Sequence, residues 1–184
     1  MNNRPGNVTI ENARIVFRNF AGREERFNPA GRRNFGVILP DDVAEQMVKD
    51  GWNVKYLKPR EEDEQPQPWL QVAISYKVRP PRVVMVTSRG RTSLPEELIE
   101  ALDYADLAVV DLIVNPYSWT VDGKSGIKAY LTSIFVTIAE DDLERKYADV
   151  PEIDIHGKPL ALEAGPGDDF IDAEVIDAEV VEED

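Results

Sequence analysis

Strict alternation runs through residues 70–78, with Leu70, Val72, Ile74, Tyr76 and Val78 on one side and Gln71, Ala73, Ser75 and Lys77 on the other. Side chains along a β-strand point to opposite faces with a period of two, so this stretch predicts a strand with one buried face. The same period sets Trp52, Val54 and Tyr56 against Asn53, Lys55 and Leu57, and it predicts strands at 13–18, 34–39 and 82–87. In the first of these, Arg14, Val16 and Arg18 share one face, and Ile15 and Phe17 the other. Residues 107–114 are apolar enough for a central strand. The segment NPYSWTVDGKSGIKAYLTSIFV, residues 115–136, then reads as strand, turn and strand about Asp122-Gly123, a strong hairpin signal.

Two stretches carry helix signals instead. After Pro40, Asp42 can cap with Glu45 three residues on, Gly51 stops the helix, and Val43, Met47 and Val48 form its buried stripe. Ser93-Leu-Pro-Glu96 predicts a capping box opening a second helix through Ala105. A short helix is expected at 141–147. Strands separated by turns outnumber β-α alternations, so the residues predict a small barrel or an α+β sheet rather than a doubly wound fold. After Val150 the rhythm stops. GPGDDFIDAEVIDAEVVEED repeats IDAEV and reads as a flexible acidic tail with apolar beads. The expected organisation is a domain at 1–150 and a tail at 151–184.

Charge sharpens this division. The chain of 184 residues has a formal net charge of -14, but residues 161–184 hold ten acids and no base. Residues 1–139 carry 18 acids and 18 bases, and residues 1–60 carry 11 bases against seven acids. The low pI therefore describes the tail, while the body is neutral and locally basic. No cysteine is present, which excludes disulfides and thiolate chemistry, and a single histidine, His156, cannot build a His-rich metal site. A carboxylate magnesium site is left open by composition. No apolar run reaches the length of a membrane span, and the first residues lack a signal peptide's apolar segment, so the expected location is a cytoplasm.

The Gly-Lys-Ser triplet at 123–125 invites a phosphate-loop reading, which fails. A Walker loop needs a glycine five residues before the glycine of that triplet, where Ser118 stands, and a helix after it, where Gly126-Ile-Lys-Ala-Tyr-Leu keeps a β period. On that strand Lys128 and Tyr130 share one parity, and Ile127, Ala129 and Leu131 the other. Lysine and tyrosine on the open face suit base stacking and phosphate screening. Tyr117, Trp119 and Lys124 belong to the same hairpin. Lys55, Tyr56 and Lys58 beside Trp52, then Lys77, Arg79 and Arg82, then Arg32 and Arg33 in a Gly-Pro loop, can join it, and Trp69 begins the best strand. Large aromatics in strands are more often core, and Trp52, Tyr76, Phe17, Phe35 and Phe135 are read so; Trp119 and Tyr130 fit either role. Catalysis is poorly supported: His156 stands alone, and only Asp103, Asp106 and Asp111 offer carboxylates that could converge for a two-metal nuclease. The residues thus point to an expected non-enzyme with no cofactor and no metal.

The segments NPAGRRNFGV, DGWNVKYLKPRE, LQVAISYKVRPPRV and VDLIVNPYSWTVDGKSGIKAYLTSIFVTI, with the acidic C-terminus, resemble the single-stranded-DNA-binding proteins of tailed bacteriophages. The resemblance implies an elaborated OB-fold barrel, mainly β, with two short helices, coating unwound strands without sequence preference during replication and recombination. It implies DNA contacts at Arg32, Arg33, Lys55, Tyr56, Lys77, Lys124, Lys128 and Tyr130, with Trp119. The neighbouring Lys58, Arg79, Arg82 and Tyr117 complete the candidate surface. It further implies recruitment of replication or recombination proteins by the tail, through the beads Phe170, Ile171, Val175, Ile176, Val180 and Val181. Many such tails end in an aromatic residue; this sequence ends Val-Val-Glu-Glu-Asp. The competing expectation is a non-enzymatic phage adaptor or structural protein whose tail holds a partner. Neither reading involves a membrane, and both leave a homo-oligomer open.

Overall fold

A computed structural model describes residues 5–77 and 79–153. The chain divides into two units, Met1–Asp142 and Leu143–Asp184. The described residues of the first unit form nine strands: β1 (Val8–Ile10), β2 (Arg14–Asn19), β3 (Arg33–Ile38), β4 (Val54–Leu57), β5 (Gln67–Ile74), β6 (Arg82–Thr87), β7 (Gly90–Ser93), β8 (Leu107–Val121) and β9 (Lys124–Ile138). Helix α1 (Asp41–Lys49) and a 3-10 helix (Glu96–Asp103) are inserted among them, and α2 (Asp142–Lys146) follows β9. No helix among the described residues is long and apolar enough to cross a membrane.

All nine strands share one sheet, with the path β1-β8-β9-β5-β3-β2. Its two ends are consecutive pieces of chain. β1 pairs with β8 and β2 with β3, and the link between them is anchored where Ala13 N–H donates to the Val110 carbonyl at 2.7 Å. The sheet therefore curls on itself as an OB-like, mainly β fold, as expected. β9 is the pivot. One edge runs antiparallel along β8 for the full hairpin, while the other meets Trp52 at Ile127, β5 at Ala129 and Tyr130, and β6 at 133–137. Inward residues from five strands fill the core, among them Phe35, Val37, Leu70, Val72, Val114, Ala129 and Ile134, with Phe20 stacked on Phe35 at 5.2 Å.

Several expectations change. β5 ends at Ile74, and it begins three residues earlier because Gln67–Leu70 pair with β4. β1 and β7 are short strands that local alternation does not reveal. Ser93 closes β7 rather than capping a helix; Pro95 is the N-cap of the 3-10 helix, without a side-chain cap bond. α1 starts at Asp41 after Pro40, also uncapped by a side chain, and buries Ala44 with Met47, while Val43 and Val48 lie at the surface. Gly51, at φ +97, ends it as expected.

Phe17 is the largest correction. It is 57% exposed, although alternation with Ile15 points it inward. A bulge between Val16 and Asn19 and a φ of +52 at Phe17 insert one extra residue, which turns Phe17 outward and Arg18 inward. The Arg18 guanidinium then donates to the carbonyls of Leu102 and Ala105, both at 2.8 Å. Phe35 is core as read, whereas Phe135 is half-buried beneath the Arg82 guanidinium at 5.3 Å.

Asp103 ties the 3-10 helix to the loop after β2. Its buried carboxylate accepts from the N–H groups of Phe20 and Ala21 at 2.7 and 3.1 Å, and from Arg23 at 3.1 Å. Asp111 is likewise used, accepting from Asn12 N–H. Among the described residues no group of three or more such side chains is placed to hold a metal ion. Asp103→Ala strands two backbone donors and is expected to cost about 2–4 kcal/mol of stability, read as a lowered urea midpoint with an unchanged slope.

Candidate nucleic-acid interface

Hairpin β8–β9 turns through Asp122 and Gly123 at φ +50 and +80, the two positive angles of a type I′ turn. The Gly-Lys-Ser triplet straddles this bend: Gly123 completes the turn, and Lys124 and Ser125 open β9. Residues directly opposite in an antiparallel pair share a face, so Asn115 with Tyr130, Tyr117 with Lys128, Trp119 with Gly126, and Val121 with Lys124 line the outer surface. Ile127, Ala129 and Leu131 of the same strand are buried. On the outer face the Tyr117 and Tyr130 rings meet edge to face at 5.7 Å, and Lys128 Nζ lies 5.2 Å from the Tyr130 ring. Tyr117 is 56% exposed, and Trp119 is half-buried with its indole against Gly126, where a Cβ would meet the ring at 3.0 Å.

The surface continues across the sheet. Tyr130 is the parallel partner of Ala73, and two residues at a time along β5 lead through Gln71 to Trp69 on the same face. Trp69 is flanked by Lys55, whose Nζ is 5.2 Å from the indole and donates to Gln71 Oε1 at 3.0 Å. Phe17 meets the other side edge to face at 5.1 Å. Gly36 makes room for this ring: a Cβ there would lie 2.7 Å from Trp69 Cε3 and 3.0 Å from Val16 Cγ2. The bulge that exposes Phe17 and the glycine that seats Trp69 together build a second aromatic-cation cluster. One face thus carries two such clusters, joined by the small and polar side chains of Ala73 and Gln71.

The other expected positions distribute unevenly. Lys124 stands exposed at the hairpin tip. Lys77 and Arg79 are exposed on the connection into β6, and Arg82 is exposed as its first residue; β6 takes over from β5 as the neighbour of β9 just beyond Tyr130. Lys58 belongs to the β4–β5 loop. Tyr56 is 54% exposed, but it opposes Pro68 and so has the opposite parity from Lys55, apart from the Trp69 cluster. Trp52 is buried, as read. Arg33 is half-buried, bonded to Glu96 at 2.6 Å and set 5.3 Å from the Tyr76 ring. Burial raises the Tyr76 hydroxyl above its ordinary pKa, with Arg33 opposing the shift and Glu96 and Glu97 adding to it. Arg32 is exposed.

The loop bearing Arg32 is a built structure rather than a pliable one. Buried Asn19 bonds both backbone groups of Arg23, and Asn28 Nδ2 bonds the carbonyls of Arg23 and Arg32. Asn28 Oδ1 accepts from Asn34, the register partner of Ala73, which places this loop beside the central strip. It presents Phe27, 89% exposed with Arg26 at 5.1 Å from its ring. Sequence reasoning missed Phe17, Phe27 and the role of Trp69; the Phe-Asn-Pro step of the loop was the available signal for Phe27. The tail beads Phe170, Ile171, Val175, Ile176, Val180 and Val181, together with His156 and Val78, lie outside the described residues.

The phage ssDNA-binding domain family matches residues 1–183 of the chain. No curated protein matches the sequence. Among solved structures, the single-stranded DNA-binding protein from bacteriophage Enc34 in complex with ssDNA is 12% identical, with a TM-score of 0.52 over 74% of this chain and 88% of that one. The single-stranded DNA binding protein gp2.5 of bacteriophage T7 is 11% identical, with a TM-score of 0.38 over 84% of this chain and 98% of that one.

Proposed function

The chain belongs to the phage ssDNA-binding domain family, and from that membership we propose that it coats single-stranded DNA without sequence preference along the outer face of its sheet. The observation that carries this reading is the pair of aromatic-cation clusters on one face, Tyr117–Tyr130–Lys128 and Phe17–Trp69–Lys55. Aromatic rings stack on the π-face of any base, and lysines offset backbone charge without reading base edges. The exposed cations Arg32, Lys77, Arg79, Arg82 and Lys124 border this strip, and Phe27 rises beside it from a preformed loop. Arg33 contributes by holding the base of that loop to Glu96.

The setting for this activity is phage replication and recombination in the bacterial host's cytoplasm, where unwound strands need protection. Residues 161–184 carry ten acids and alternating apolar beads, which suits recruitment of replication or recombination proteins through Phe170, Ile171, Val175, Ile176, Val180 and Val181. The chemistry is binding, with no cofactor or metal required.

Electrostatics gives a direct test. For single strands, log affinity falls against log salt with a slope of about -0.7 per phosphate neutralised. Lys128→Ala and Lys55→Ala are each expected to flatten that slope by about 0.7 while weakening all base compositions alike. Slopes equal to that of the unaltered chain in both variants would remove these lysines from the DNA path.

A further inference from the structure

At the β2 end of the sheet path, the connection between β4 and β5 and the outer face of β2 enclose a groove of about 660 Å3. Val16, Ile38 and Leu57 line it together with Gln65, Gln67 and the outward-turned Phe17 ring. Three cations, Arg14, Lys58 and Arg60, line it against one carboxylate, Glu64, which accepts from Arg60 N–H at 3.3 Å.

We propose that this groove is a nucleotide subsite, set beyond the Phe17–Trp69–Lys55 cluster and sharing only Phe17 with it, that receives the outermost base of a bound strand and the phosphates beside it. The inference rests on the single-stranded-DNA reading and deepens it by giving the bound strand a fixed end point. A mixed slot that offers one exposed aromatic ring beside three cations matches the two halves of a nucleotide: the base has a flat face to stack, and the phosphate a localised negative charge. Phe17 links the groove to the sheet, since one face of its environment is the groove and its edge contact is Trp69.

Position makes the proposal testable. The hairpin cluster and the groove lie at opposite ends of the outer face. Between them are about 13 Å along β5 from Ala73 to Trp69 and about 14 Å across the three strand spacings from β9 to β2. A short oligonucleotide held at the hairpin cannot reach the groove, whereas a longer one can. Affinity is therefore expected to rise in two stages with length, the second stage belonging to the groove.

The experiment is a fluorescence-anisotropy titration of the full chain with dT oligomers of graded length, repeated with the Arg14→Gln/Arg60→Gln double variant. Both arginines are exposed, and far-UV circular dichroism with thermal melting verifies the variant's fold. The double variant is expected to bind the shortest oligomers as the unaltered chain does and to lose about fivefold or more on the longer ones. Equal weakening at every length would overturn the subsite, because the arginines would then act only as a diffuse field. Unchanged binding at every length would overturn it too. Failure of the unaltered chain to bind any length would instead refute the underlying DNA reading.

Discussion

Replacing Tyr117 and Tyr130 together by alanine is expected to lower affinity for oligo(dT) about 100-fold or more, with only a modest loss of stability. Base-aromatic stacking contributes about 1–3 kcal/mol per base by alanine substitution, so two rings supply about 2–6 kcal/mol. The pair is treated as a unit because the rings touch at 5.7 Å, and contacting residues are not additive. Stability should change little: Tyr117 is 56% exposed, and the buried side of β9, with Ile127, Ala129 and Leu131, is left intact. Anisotropy titration and a thermal melt read the two quantities separately. A loss of binding smaller than about threefold in a folded variant would place the strand elsewhere on the molecule.

Phe17→Gly separates function from folding more sharply. A large aromatic at φ +52 and 57% exposure pays a backbone cost, of order 1–3 kcal/mol for a non-glycine residue in this region, and recovers little of it from burial. Glycine adopts the same angle freely. Against that relief stands the loss of the edge-to-face contact with Trp69, worth about 0.5–1.5 kcal/mol. The two effects nearly cancel, so the variant is expected to melt within a few degrees of the unaltered chain. Its affinity for long dT oligomers should nevertheless fall about tenfold or more, because a stacking surface is gone. A clear stability loss with unchanged binding would mean that Phe17 serves packing alone.

Phe17 also shows where the sequence stopped being legible. Alternation is a sound guide while a strand keeps its period, and it placed Ile127, Ala129 and Leu131 inside and Lys128 and Tyr130 outside. One inserted residue reverses that logic, and nothing in Val-Phe-Arg announces a bulge. The hairpin was readable because Asp-Gly dictates its own turn; strands punctuated by turns gave a small barrel or an α+β sheet, and the OB-like class came from the family resemblance. The pairing of β9 with three different neighbours along one edge was not readable, since register between distant strands depends on the whole sheet. Capping motifs misled at Ser93 for a related reason: the residue was taken by pairing with Val84 before a helix could use it. For Arg33 and Tyr56 the residue type suggested DNA contact, but an acid 63 residues away in sequence, Glu96, and the parity of β4 decide their surroundings. The Trp69 cluster needed three elements at once, with Gly36 opposite, and no local window contains them.

The most direct test of the account is titration of intrinsic tryptophan fluorescence with poly(dT) across about 50–200 mM salt. Of the three tryptophans, Trp69 and Trp119 are half-buried on the outer face and Trp52 is buried beneath it. Strong quenching at low salt is predicted, reversed steeply as salt rises and largely abolished by Trp69→Phe together with Trp119→Phe. No quenching and no mobility shift at low salt, from a chain that is folded, would contradict it.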